Sequence, residues 1–120
     1  MAEDILKDID RTLPDSDLFS TDEGKNRLFK VLVALSNTYK EMSYVQGMNS
    51  LAGITLFYLR EEESYPLMIH LLETIGVKKI FYPNFEGLSV LNYQLESYLN
   101  HYLPEISHFL VILQNYFSKC

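Results

Sequence analysis

Two side chains in this sequence have the chemistry to act on a phosphoanhydride. Arg11 stands in Ile5-x-x-Asp8-x-x-Arg11-Thr12, and Gln46 stands in the hexapeptide Tyr44-Val45-Gln46-Gly47-Met48-Asn49. A guanidinium neutralises charge on phosphate oxygens and a carboxamide can orient a water, and these are two tools of GTP hydrolysis. The parts that would hold a nucleotide are missing: the sequence contains neither G-x-x-x-x-G-K-[ST] nor G-x-G-x-x-G. The combination points to chemistry performed on a nucleotide held by another protein. Each residue also has an ordinary reading on its own, Arg11 as a solvated or salt-bridged surface residue and Gln46 as a helix-start residue with no partner.

The elements that must position these residues read as helices. Leu28, Leu32, Leu35, Ser36 and Tyr39 recur at helical spacing, widened by Phe29 and Val33. Ser20-Thr21-Asp22-Glu23 ahead of them has the capping-box form, which predicts a helix over 22–41 with Ser20 as its cap. Leu51, Ile54, Thr55, Tyr58 and Leu59 predict a second helix after the hexapeptide, with Gly47 near its start. The run Glu61-Glu62-Glu63 would oppose the dipole at a helix C-terminus, so this helix is expected to end near Arg60 and the acidic run to be a solvated loop. Ser64 then caps a helix with Pro66 in its first turn and Gly76 past its end, burying Leu67, Leu71, Leu72 and Ile75. Residues 80–87, with Pro83, Asn84 and Gly87, read as a loop. A helix over 88–102 follows, and Pro104 opens a last one over 105–117. The run Phe109-Leu110-Val111-Ile112-Leu113 is apolar on every side, the mark of a buried helix. The expected fold is an all-α, compact bundle of about five helices in one domain.

Composition removes several functions. The chain has 120 residues, of which 48% are hydrophobic and 22% charged, so it is folded rather than disordered. With 10 basic and 16 acidic residues the net charge is −6, no footprint for nucleic acid or anionic lipid. The single Cys120 rules out an internal disulfide framework and a cysteine-rich zinc site, in keeping with a reducing compartment. His70, His101 and His108 lack metal-ligand spacing, and Pro104 breaks the helix that would align the last two. No G-x-S-x-G elbow is present. Met1 is followed by Glu3 and Asp4 rather than a basic and then apolar stretch, and no apolar run is long enough to span a bilayer, so the expected location is cytoplasmic.

The two segments together resemble the signature motifs of the TBC-domain family of Rab GTPase-activating proteins. Ile5-x-x-Asp8-Ile9-x-Arg11-Thr12-x-Pro14 matches the first, and Tyr44-x-Gln46-Gly47-Met48-Asn49 the second, with Phe19, Gly24, Leu28, Leu32 and Tyr39 fitting between. The resemblance implies that Arg11 and Gln46 are catalytic and enter a GTPase's active site as a pair. Arg11 would stabilise charge on the γ-phosphate, and Gln46 would substitute for the GTPase's own glutamine. Asp8 would orient the guanidinium, Tyr44 and Asn49 would hold the loop of Gln46, and Thr12 and Gly47 would support the same framework. The implied partner is a Rab-type small GTPase, which would keep GTP and Mg²⁺ itself and bring the chain to membranes through its own lipid. The protein would need no cofactor or metal.

The resemblance also implies that residues 1–120 are the N-terminal portion of such a domain. The family's tryptophan-bearing lead-in helix and its C-terminal half have no counterpart here. Self-association, another chain or further residues would then have to cover the apolar last helix. Two other functions stay open at this level. One is a truncated helical module that binds a small GTPase without stimulating hydrolysis, and the other is a packing domain with inherited motifs and no GTPase contact.

Overall fold

The computed structural model describes residues 1–118, so Cys120 and the redox reading attached to it lie outside the described residues. Among these there are seven helices and no strand, two helices more than the sequence suggested: α1 Ala2–Ile9, α2 Asp22–Thr38, α3 Met48–Tyr58, α4 Glu61–Glu73, α5 Lys78–Phe81, α6 Glu86–Tyr102 and α7 Pro104–Phe117.

The core lies among the first four. On α1, Ile5 and Ile9 are one turn apart and face inward, while Glu3 and Asp4 occupy the first turn, where the dipole favours negative charge. On α2 the expected stripe is buried: Leu28, Leu32, Leu35, Ser36 and Tyr39, joined by Val31. Its cap is Thr21 rather than Ser20. Thr21 has extended backbone and its hydroxyl accepts the Gly24 amide at 3.1 Å, whereas the Ser20 hydroxyl donates to the Asp17 carbonyl at 2.9 Å. The helix also stops at Thr38, short of 41. Tyr39 leaves helical geometry to keep its ring in the core, and its amide closes on the Leu35 carbonyl at 2.9 Å.

The face of α3 is rotated from the expected one. Met48, Asn49, Ala52, Gly53, Thr55 and Leu56 are buried, while Ile54 and Tyr58 point to solvent. The lack of a side chain at Gly53 lets Thr12, Leu13 and Phe19 approach closely, which outweighs the hydrophobicity of Ile54. Glu61, Glu62 and Glu63 are not a loop after α3 but the first turn of α4, where their charge complements the dipole. The Arg60 amide donates to the Glu63 carboxylate at 3.1 Å and holds that carboxyl below its ordinary range. The earlier start moves Ser64 inside the helix, where it is fully buried and bonded to Thr55, and puts Pro66 beyond the first turn. The buried face of α4 is accordingly Ser64, Met68 and Leu72, and Ile75 is exposed.

Helix α2 packs on α1, α3 and α4, forming a bundle in which its Leu28, Leu32 and Leu35 are fully buried. Residues 80–87 are only partly a loop. The short α5 precedes a cis Tyr82–Pro83 bond, Asn84 and Phe85 have positive φ, and α6 begins at Glu86. Helices α6 and α7 form a hairpin that packs on itself and on α5 but not on α1–α4. The last helix is therefore not buried: Phe109, Leu110, Val111 and Ile112 are exposed, and Ser107 is the one buried residue of the hairpin's described side chains. The projecting hairpin stretches the molecule to 45 × 31 × 26 Å and gives a radius of gyration of 17.0 Å. A compact domain of this length would have about 14 Å.

This division predicts unequal costs for equal truncations. Leu32→Ala, at a fully buried position, should lower the unfolding free energy in urea by about 2–5 kcal/mol. Leu95→Ala, on the exposed face of α6, should change it by less than about 0.5 kcal/mol. Equal losses would contradict the separation of core and hairpin.

Candidate functional site

The site is built where α1 ends. The helix stops at Ile9, and the Arg11 and Thr12 amides close a turn by donating to the Asp8 and Ile9 carbonyls at 3.1 and 3.0 Å. This turn directs Arg11 outward and Thr12 inward: the Arg11 side chain is 68% exposed, and Thr12 is buried. Asp8 is buried too, and both oxygens of its carboxylate are used. Oδ1 accepts from Arg11 Nη2 at 2.5 Å, and Oδ2 accepts from the Tyr44 hydroxyl at 2.6 Å.

A second path joins the same two segments lower down. The Thr12 hydroxyl donates to the Asp8 carbonyl at 2.6 Å and accepts from Asn49 Nδ2 at 2.8 Å. Asn49 Oδ1 in turn accepts the Gly47 amide at 2.9 Å. Asn49 thus uses both ends of its amide, one to hold the first segment and one to fix the turn that carries Gln46. Gly47 caps α3 with φ +105° and ψ −26°, a conformation that L side chains rarely adopt.

The result is an open polar cleft of ≈ 250 Å³ lined by Asp4, Lys7, Asp8, Arg11, Tyr44 and Gln46. Arg11 and Gln46 therefore share one surface. Gln46 is exposed, and among the described residues its side chain has no partner. Asp8, Thr12, Tyr44, Gly47 and Asn49 all lie beneath or beside these two, so the structure brings together every site residue named from the sequence. What sequence reasoning did not reach is the Thr12–Asn49 bond, because neither residue type announces a partner 37 positions away. Lys7, on the rim and paired with Asp4 at 3.9 Å, was also not singled out. Its place one turn before Arg11 was the available signal. Among the described residues no group of three or more His, Cys, Asp or Glu side chains could hold a metal ion.

The geometry shifts one group strongly. Burial, followed by the Asp8 carboxylate to which it donates, holds the Tyr44 phenol well above its ordinary range, and the nearby Arg11 charge offsets a part of this.

Comparison with known proteins gives this helical chain its class. The family model for the Rab-GTPase-TBC domain matches residues 1–119, and the chain belongs to that family. Among its relatives is the Rab GTPase-activating protein tbc-11 of Caenorhabditis elegans, 32% identical over 88% of this chain and 12% of the relative. TBC1 domain family member 4 of Mus musculus is 33% identical over 88% of this chain and 8% of the relative. The ecotropic viral integration site 5 protein homolog of Homo sapiens is 31% identical over 85% of this chain and 13% of the relative. The chain therefore spans roughly a tenth of the length of the relatives it matches. No helix among the described residues is long and apolar enough to cross a membrane.

Tyr44 supplies a test of the framework. Its folded-state pKa lies above the unfolded value of about 10, so its contribution is complete below that pH and is lost as pH rises through the elevated folded value. Tyr39, pushed up to about 12 by burial and then by the Glu73 carboxylate, behaves alike. In a spectrophotometric titration of the folded protein, Tyr44→Phe should leave the number of tyrosines ionised by pH about 11 unchanged. The same variant should lose about 1–3 kcal/mol of stability at pH 7, because a buried carboxylate oxygen loses its donor.

Proposed function

We propose that the chain is the part of a GTPase-activating protein that supplies Arg11 and Gln46 in trans to the active site of a Rab-type small GTPase. The single observation that carries this reading is the shared cleft: both side chains line it, both are exposed, and side-chain hydrogen bonds between Asp8 and Tyr44 and between Thr12 and Asn49 join the segments that carry them. The relatives named as Rab GTPase-activating proteins support the partner class.

On docking, the Arg11 guanidinium turns from Asp8 toward the γ-phosphate, where its planar fork matches two oxygens at once. Asp8 keeps the guanidinium from swinging away until then. Gln46 has both an acceptor and a donor on its carboxamide and aims the attacking water. GTP and Mg²⁺ stay with the GTPase throughout, and the chain contributes positioning and charge, which dominate phosphoryl transfer. Membrane recruitment follows from the lipid carried by the GTPase, and the chain works from the cytoplasm.

The deciding experiment is single-turnover GTP hydrolysis across a panel of Rab proteins. Wild type should accelerate at least one of them, and Arg11→Ala should remove about 10³-fold or more of that acceleration. Gln46→Ala should also collapse it, and Arg11→Lys should not restore it, because an ammonium cannot make the bidentate contact. GTP-dependent binding with no acceleration, from a folded sample, would replace this reading with that of a binding module. No binding to any member would leave only a helical packing domain.

A further inference from the structure

The Gln46 turn has a second wall, and nothing in the two motifs accounts for it. The turn is held by Asn49, whose carboxamide accepts the Gly47 amide. Against the position a Gly47 side chain would take stands the ring of Phe81, the last residue of α5. A Cβ at Gly47 would lie 3.1 Å from Phe81 Cε1 and 3.8 Å from Cζ, so the ring is seated against the bare α-carbon of the residue next to Gln46. Phe81 is half-buried and packs on the core together with Tyr44 and Val45 from the same turn.

We propose that Phe81 is a positioning residue for Gln46, acting through Gly47. The inference rests on the role given to Gln46 above. A turn that places a carboxamide must be stopped from moving in two directions, and a hydrogen bond from one side restrains only one of them. Asn49 holds the turn through its Gly47 amide, and the Phe81 ring fills the space beside the Gly47 α-carbon into which the turn could otherwise move. Glycine at 47 is then required twice over, by φ +105° and by the ring that occupies the space of a side chain.

The wall is itself fixed, although α5 has only four residues. Lys78, at its start, pairs with Glu73 at 3.3 Å and lies 5.0 Å from the Tyr39 ring centroid, which ties α5 to the end of α4 and to the exit of α2. From the far side α6 presses on it: a Cβ at Gly87 would fall 2.2 Å from the Lys79 carbonyl oxygen. These contacts fix the backbone of α5, which carries the Phe81 ring. Through Phe81 the α5–α6 corner, remote in sequence from either motif, sets how firmly the glutamine is held.

The test compares wild type, Phe81→Ala and Phe81→Leu in single-turnover hydrolysis with a Rab that wild type activates. Phe81→Ala should lower the saturating rate by about tenfold or more, since a loosened catalytic group costs rate steeply. Its half-saturation concentration should stay within about twofold, because such a residue acts on the transition state rather than on docking. Phe81→Leu, which refills the space, should recover most of the rate. Gly47→Ala should cost less in the Phe81→Ala background than in wild type, because the ring's share of the clash is gone. An unchanged saturating rate, or a half-saturation concentration that rises in step with the loss, would overturn the proposal. Amide hydrogen exchange gives a readout that needs no GTPase. Phe81→Ala should speed exchange at Gly47 and Met48 about tenfold while leaving the α2 amides unchanged, and equal exchange in both proteins would overturn the inference. If wild type activates no Rab, the reading of Gln46 fails, and exchange alone decides whether Phe81 holds the turn.

Discussion

The carboxylate of Asp8 is the interaction on which the rest of this site depends. It is a buried charge, and a buried charge is stable only when paired and fully hydrogen-bonded. Arg11 satisfies one oxygen from the solvent side, and Tyr44 satisfies the other from within. The two partners come from segments 36 positions apart for Tyr44 and 3 for Arg11, so one carboxylate both orients the guanidinium and fastens the second segment to the first. Removing it would leave a phenol and a guanidinium without their acceptor and would leave the two segments joined by Thr12 and Asn49 alone. Thr12 and Asn49 repeat the connection with neutral groups, deeper in the bundle, where no ion is at risk.

Much of this was legible from residue types. Arg11, Gln46, Asp8, Tyr44 and Asn49 stand in two short patterns whose chemistry is explicit, and the helical period of α2 gave its buried face almost residue by residue. The failures have physical causes. The acidic run at 61–63 was judged against the helix before it, when its charge belongs to the dipole of the helix after it. Hydrophobicity favours Ile54 and Tyr58 as the inner face of α3, but Thr12, Leu13 and Phe19 close on Gly53 and a different face is buried. The end of α2 carries no Gly or Pro. Only the demand of the Tyr39 ring for the core ends it, and that demand is tertiary.

The apolar run of α7 shows a different limit. Sequence pattern says which side chains of a helix could be buried, not which element it packs against. In this chain α6 and α7 reach only each other and α5, and their large apolar side chains remain at the surface. The core residues beneath the cleft come from the stretch α1–α4, and α6 reaches that stretch only through α5. Phe81 illustrates the same point from the other side: its importance came from where the chain returns, and no local signal marked it.

The long span closed by the Asp8–Tyr44 and Thr12–Asn49 bonds also bears on how the molecule is made. Those bonds close loops of 36 and 37 positions, and the whole of α2 lies within both. Closing such loops costs entropy that is returned only when the packing beneath them is complete. The integrity of the cleft is therefore tied to the packing of α2 between its two segments, and a loss of that packing reaches Arg11 and Gln46 together.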